Sequence, residues 1–300
     1  MIMQTLGIEH NFLGLEDAHS GLDDARIAIV SAPYEHTVSY GRGTARGPEA
    51  LLAASHFVEF WDEEFQRELC FDKGIATLAP IAFDGAADTD ALRMIEDPVR
   101  ALLARDKFVV TLGGEHTIAA APIRAHLDRY PDLTVLQIDA HSDLRQEYEG
   151  TPFSHASVMA RVLEFLPGPR IVQAGIRAQC REESALIADA GIQTFFGWEI
   201  RQGVYGQSWK ERVLDALGAD VYITFDVDGL DPSIMPSTGT PEPGGLLWDE
   251  TIQLMKMIGK HRRIVGFDVV ELAPVAGLPW PDFLAAKLVS KMLNAAFSGR

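Results

Sequence analysis

Short, nearly continuous apolar runs alternate along this chain with longer amphipathic segments. The short runs cover residues 26–32, 108–112, 134–138, 170–174, 221–225 and 264–270. Most of their residues are β-branched or aromatic, and apolarity is barely interrupted, as in strands covered on both faces. The longer segments, 48–60, 91–105, 118–130, 155–165, 182–190, 209–217, 250–258 and 282–297, predict helices. Pro48 stands at a plausible first helical position. Such alternation predicts an α/β protein with a parallel sheet and helices on both sides. Ligands of these folds gather beyond the carboxyl ends of the strands.

Four of the runs end in polar clusters. One leads into Gly113-Gly114-Glu115-His116, and another into Asp139-Ala140-His141-Ser142-Asp143. A third leads into Asp226-Val227-Asp228, and the last ends at Glu271. Side chains of an extended chain alternate faces, so Asp139, His141 and Asp143 can point one way, as can Asp226 and Asp228. A single D-x-H or D-x-D is weak evidence, since Asp is common after strands. The joint pattern is far more specific. Four unpaired carboxylates in one pocket repel and are costly to bury. Two divalent cations would offset them. Oxygen and imidazole ligands without thiolate suit Mn²⁺, and Co²⁺, Ni²⁺ and Fe²⁺ accept similar sets. A shared Asp would hold two such ions roughly 3.5–4 Å apart.

Other features narrow the choice. The segment at 41–47, GRGTARG, has the wrong glycine spacing for a dinucleotide loop and stands well beyond its strand. His10, His19, His126 and His261 sit among polar neighbours and read as solvated. His36 and His56 flank the Gly-rich segment and read as structural, with His36 a candidate for the pocket mouth. The net charge of −17 argues against nucleic acid and anionic membranes as partners. Two cysteines, Cys70 and Cys180, form no disulfide framework. With no signal peptide or membrane span in view, a cytoplasmic protein is expected. No linker or repeat divides the chain. One domain over residues 1–300 is therefore expected, with residues 1–25 an extension packing on it or on a neighbouring subunit.

These motifs resemble the ureohydrolase family of arginases and agmatinases, most of all the agmatinases. The resemblance rests on the 113–116 and 139–143 clusters, the run TFDVDGLDPSIMPSTGTPEPGG at 224–245, FDVVELAP at 267–274 and the 41–48 loop. Glu115 departs from the Asp of many members. The resemblance implies a three-layer α/β/α fold with about eight parallel strands, and a homotrimer or homohexamer. It also implies two Mn²⁺ per subunit. His116, Asp139, Asp143 and Asp226 would hold one, and His141, Asp139, Asp226 and Asp228 the other. It further implies hydrolysis of a small cationic guanidine to urea and an amine. Asp143 would align the attacking nucleophile, Glu271 would grip the guanidinium, His155 would shuttle the proton, and Thr240 would support Glu271.

The substrate tail should meet the loop at 144–154. Glu147 and Glu149 there suit a cationic amine, which makes agmatine, yielding putrescine, the first choice. Arg145 would instead suit a carboxylate, as in guanidinobutyrate. Aminopropylagmatine, free guanidine and formimidoylglutamate are alternatives. So is a non-catalytic regulator of polyamine enzymes, although no ligand of the set is missing.

Overall fold

The six expected strands form, and two short ones join them at the edges. The computed structural model describes residues 3–299, so the first two residues of the expected extension and Arg300 lie outside the described residues. In chain order the strands are β1 (Ile27–Ala32), β2 (Ile75–Thr77), β3 (Phe108–Gly113), β4 (Thr134–Ile138), β5 (Ile171–Ile176), β6 (Gln193–Phe196), β7 (Asp220–Asp226) and β8 (Arg263–Val270). All pairings between them are parallel, in the order β2-β1-β3-β8-β7-β4-β5-β6. The expected eight-stranded α/β/α architecture is thus the observed one.

Alternation along the strands sorts their side chains into cores on the two faces. Ile27, Ile29, Val110, Leu136, Ile223 and Phe267 point to one face, with helices Gly47–Ser55, Trp209–Ala216, Trp248–His261 and Trp280–Ala296. On the other face, Ala28, Val30 and Val109 meet Asp88–Ala104, while Val135 and Tyr222 meet the side formed by Ala120–Arg129, Val158–Leu163 and Arg181–Ala190. Burial on both faces explains why the central strands read as unbroken apolar runs. In place of one helix over 155–165, a short 3₁₀ turn, His155–Ser157, leads into Val158–Leu163.

The described part of the N-terminal segment packs on its own chain. Phe12, Leu13 and Leu15 are buried. The Leu6 N–H donates to the Thr77 carbonyl (2.8 Å) and the Phe12 N–H to Thr77 Oγ1 (2.9 Å), which covers β2. The His56 ring, 2.9 Å from the Asn11 carbonyl, helps hold this segment in place. Among the described residues no helix is long and apolar enough to cross a membrane. His126 corrects the sequence reading. It is fully buried rather than solvated, its Nδ1 donating to the Pro122 carbonyl (2.7 Å), because its ring packs where Gly266 leaves room on β8.

Candidate metal centre

The carboxyl ends of β3, β4, β7 and β8 meet at one place, because β3 and β4 flank the β8–β7 pair. β3 delivers Glu115 and His116, and β4 delivers Asp139, His141 and Asp143. β7 delivers Asp226 and Asp228, and β8 delivers Glu271. The turn after β3 requires glycine: a Cβ on Gly114 would stand 2.0 Å from the Tyr34 carbonyl oxygen. Asp143 and Glu271 hold left-handed backbone, with φ of 54° and 65°. Glu rarely adopts that conformation, and such strain clusters at functional sites.

His116 Nδ1 lies 3.0 Å from Asp139 Oδ2, 3.1 Å from Asp143 Oδ2 and 3.4 Å from Asp226 Oδ2. His141 Nδ1 lies 2.9 Å from Asp228 Oδ2 and 3.7 Å from Asp139 Oδ1. Neighbouring ligands of an octahedral ion with bonds of about 2.1 Å stand about 3 Å apart, so these spacings fit a shared ion. Two ligand groups result, His116–Asp139–Asp226 and Asp139–His141–Asp228, each with its donor atoms within 4.8 Å of one another. Asp139 belongs to both. Asp143 adjoins the first group through its contact with His116.

Backbone and side-chain donors aim these carboxylates. The His141 N–H donates to Asp139 Oδ1 (2.6 Å) and Gln137 Nε2 to Asp139 Oδ2 (2.8 Å). The Ala140 N–H holds Asp228 Oδ1 (3.0 Å), and the Asp228 N–H holds Asp226 Oδ1 (2.8 Å). Glu183 accepts from the N–H groups of Leu144 (3.0 Å) and Cys180 (2.7 Å), fixing the chain just past Asp143.

The His116 tautomer tests whether a cation fits. Its Nε2 is 2.8 Å from Thr224 Oγ1, whose hydroxyl lies 2.7 Å from Asp268 Oδ1. Tyr222 Oη donates to the other Asp268 oxygen (2.8 Å). The single Thr224 proton goes to Asp268, so Thr224 accepts from His116 Nε2–H. Nδ1 then presents a lone pair to three carboxylates, and among the described residues it has no hydrogen-bond partner although fully buried. Acceptors facing acceptors are repulsive unless a cation lies between them. The donor set therefore fits a metal ion. Sequence reasoning does not single out Thr224 or Asp268; the available signal is an Asp between Phe267 and Val269 in an apolar strand.

The electrostatics agree. Burial and the charges of Asp228 and Asp139 push the Asp226 carboxyl well above its usual range. Burial and Asp139 raise Asp143 to about 7. Burial disfavours charge on both imidazoles, but carboxylate contacts outweigh it. His116 ends well above its usual value and His141 at about 12. Protein groups alone thus compete for protons here, and divalent cations would relieve the competition.

Glu271 lies beside this cluster. Its Oε1 accepts from the His116 N–H (2.6 Å), and burial followed by the Glu115 charge pushes its carboxyl well above the usual range. Thr240 is half-buried, and among the described residues no hydrogen bond joins it to Glu271. His155 is half-buried; burial lowers its pKa, and Tyr148 packs edge-on against its ring at 5.7 Å. Glu147 and Glu149 are exposed on either side of Tyr148. The Arg145 guanidinium sits over the Tyr148 ring, 5.2 Å from its centroid. In the Gly-rich loop, Glu35 accepts from the N–H groups of Gly43 (3.1 Å) and Ala45 (3.0 Å), occupying donors that a phosphate loop would leave free. His36 is exposed, and its backbone N–H donates to Glu115.

Three comparisons place this geometry among known proteins. A family model described as the arginase family matches residues 25–294. The N(1)-aminopropylagmatine ureohydrolase of Synechocystis is 39% identical over 284 residues, covering 93% of this chain and 91% of that protein. The agmatinase of Bacillus cereus is 32% identical, covering 86% and 87%. The solved agmatine ureohydrolase of Thermoplasma volcanium superposes with a TM-score of 0.84 at 29% identity, covering 94% of this chain and 93% of that one.

Proposed function

Since the chain belongs to the arginase family of ureohydrolases, we propose that it hydrolyses the guanidino group of an amine-tailed guanidine, aminopropylagmatine first and agmatine second. The observation that carries this is Glu271, a buried carboxylate with one oxygen uncommitted among the described residues, beside a cluster of two His and four Asp suited to divalent cations. Water adds to the guanidino carbon, and the C–N bond to the tail breaks, giving urea and a di- or triamine.

His116, Asp139, Asp143 and Asp226 would hold one Mn²⁺, and His141, Asp139, Asp226 and Asp228 the second. When bound, these ions make water acidic enough to react at neutral pH and stabilise negative charge. The residues of the chain do the rest. The uncommitted oxygen of Glu271 pairs with the guanidinium, a charge-assisted contact that restores the carboxylate to its ionised form. An Asp143 oxygen accepts a hydrogen bond from the nucleophile. His155 donates the proton that the departing nitrogen needs.

Preference for an amine tail follows from the 144–154 loop. Aminopropylagmatine carries two amines beyond the guanidine, and Glu147 and Glu149 offer two exposed carboxylates. Arg145 is engaged over Tyr148, which weakens it as a partner for a carboxylate tail. Gln179, which follows β5 and accepts from Ser142 Oγ (2.9 Å), is a neutral side chain and offers no carboxylate to an α-amino group. The two relatives are named for amine-tailed guanidines, and the 39% identity to the aminopropylagmatine enzyme, against 32% to the agmatinase, supports placing agmatine second.

The test is urea release by Mn²⁺-loaded protein. The substrates are aminopropylagmatine, agmatine, arginine, guanidinobutyrate and free guanidine. The expected order of kcat/KM places aminopropylagmatine first, then agmatine, with the carboxylate-tailed substrates far behind. Preference for guanidinobutyrate would overturn the assignment of Glu147 and Glu149.

A further inference from the structure

Glu115 is fully buried beside the cluster, and its carboxylate engages the segment after β1. Its Oε2 accepts from the backbone N–H groups of His36 and Thr37, both at 2.7 Å. Its Oε1 is 2.8 Å from Thr37 Oγ1 and 2.7 Å from Thr117 Oγ1. A carboxylate only accepts, so both hydroxyls donate to it. The one proton of the Thr37 hydroxyl is thereby committed.

Two further contacts reach the same hydroxyl oxygen, both from His155. The backbone N–H of His155 donates to it at 3.1 Å, and the ring Nδ1 stands at 3.2 Å. Since Thr37 has no proton left to give, Nδ1 must carry one. A neutral imidazole with Nδ1–H leaves the Nε2 lone pair open. The neighbour of Nε2 is the exposed Ser39 hydroxyl at 3.4 Å, while the edge of Tyr148 closes another side of the ring.

We propose that Thr37, anchored by Glu115, is the positioning residue that fixes the ring orientation and tautomer of His155, so that Nε2 takes up a proton from solvent and is the nitrogen that passes it to the leaving group. This rests on the reading of His155 as the proton donor. Glu115, where the chain departs from the Asp of many ureohydrolases, acquires a role here. It holds Thr37 by both backbone and side chain. Without the hydroxyl, the ring can rotate and place either a C–H or the wrong nitrogen toward the substrate.

The experiment compares Thr37→Ser, which keeps the hydroxyl, with Thr37→Ala, which lacks it. His155→Asn and the Thr37→Ala/His155→Asn double variant complete the cycle. For each, kcat and KM for urea release, bound Mn²⁺ per chain and the thermal midpoint are measured. Thr37→Ala should lose roughly tenfold to a hundredfold in kcat, part of what a general acid contributes. Its KM should stay within about twofold of the wild type, and its metal content should be unchanged. Thr37→Ser should recover most of the rate. The double variant should be no slower than His155→Asn alone, since Thr37 acts only through that ring.

A normal kcat in Thr37→Ala, with His155→Asn slow, overturns this inference and leaves the role of His155 standing. Additive losses in the double variant, or reduced metal content in Thr37→Ala, also overturn it, because Thr37 would then act elsewhere. A normal kcat in His155→Asn overturns the role of His155 and this inference together.

Discussion

Replacing Thr224 by Val would remove one hydroxyl and keep almost the same volume. That hydroxyl links His116 Nε2, at 2.8 Å, to Asp268 Oδ1, at 2.7 Å. Both partners are buried, so water cannot take its place. The Nε2–H and the Asp268 oxygen would then face a methyl group. Each buried group left unpaired costs about 1–3 kcal/mol. The larger consequence concerns Nδ1, which is held toward Asp139, Asp143 and Asp226 only while Nε2 keeps its proton and its partner. Loss of such a supporting contact typically weakens metal binding by about 10–100-fold, or about 1.4–2.7 kcal/mol. Mn²⁺ affinity measured against a competing chelator should fall by that factor in Thr224→Val and recover in Thr224→Ser. A folded Val variant that binds Mn²⁺ as tightly as the wild type would refute this role of Thr224.

Three other outcomes follow from the structure. Burial lowers the pKa of His126 from 6.5 to about 4, so the unfolded chain takes up its proton first as pH falls through that window. Stability should therefore drop from about pH 6.5 to about pH 4, by on the order of 3 kcal/mol from this group. His126→Leu should flatten that acid limb in urea unfolding, and an unchanged slope would count against it. Gly114→Ala should unfold the site or prevent folding, because the added Cβ meets the Tyr34 carbonyl at 2.0 Å; a soluble, metal-binding Ala variant would contradict this. Lys291 is buried against Asp62 and Glu64, both at 2.9 Å. Lys291→Met should destabilise by on the order of 3 kcal/mol because Asp62 stays buried without its cation. Normal thermal stability in that variant would refute the ion-pair account.

What can be read from the sequence follows burial. The six longer strands are covered on both faces and read as apolar runs. The two that escape are the sheet edges: β2 has only three residues, and β6 is partly exposed along QTFF. Asp139, His141, Asp226 and Asp228 are legible because they follow directly on apolar strands as D-x-H and D-x-D clusters, although Asp139 and His141 lie past the end of β4 and Asp228 sits in a 3₁₀ turn rather than in continued strand. Their supports are not. Thr224 reads as one more β-branched strand residue, and Thr37 lies 118 positions from the histidine it contacts. The polar neighbours of His126 mislead, although Ile123 three residues earlier marks the buried face of the same helix. For Glu147 and Glu149 the sequence shows the charge, and the structure adds that both are exposed around Tyr148.

The most direct measurement of the central claim is Mn²⁺ bound per chain, determined alongside urea release as metal is titrated into chelator-stripped protein. The account predicts two ions per chain, with hydrolysis of amine-tailed guanidines rising as the second site fills. Asp139→Asn, which alters a carboxylate common to both ligand groups, should lower occupancy of both sites. Full urea release from metal-stripped protein, or two ions retained at wild-type affinity in Asp139→Asn, would contradict it.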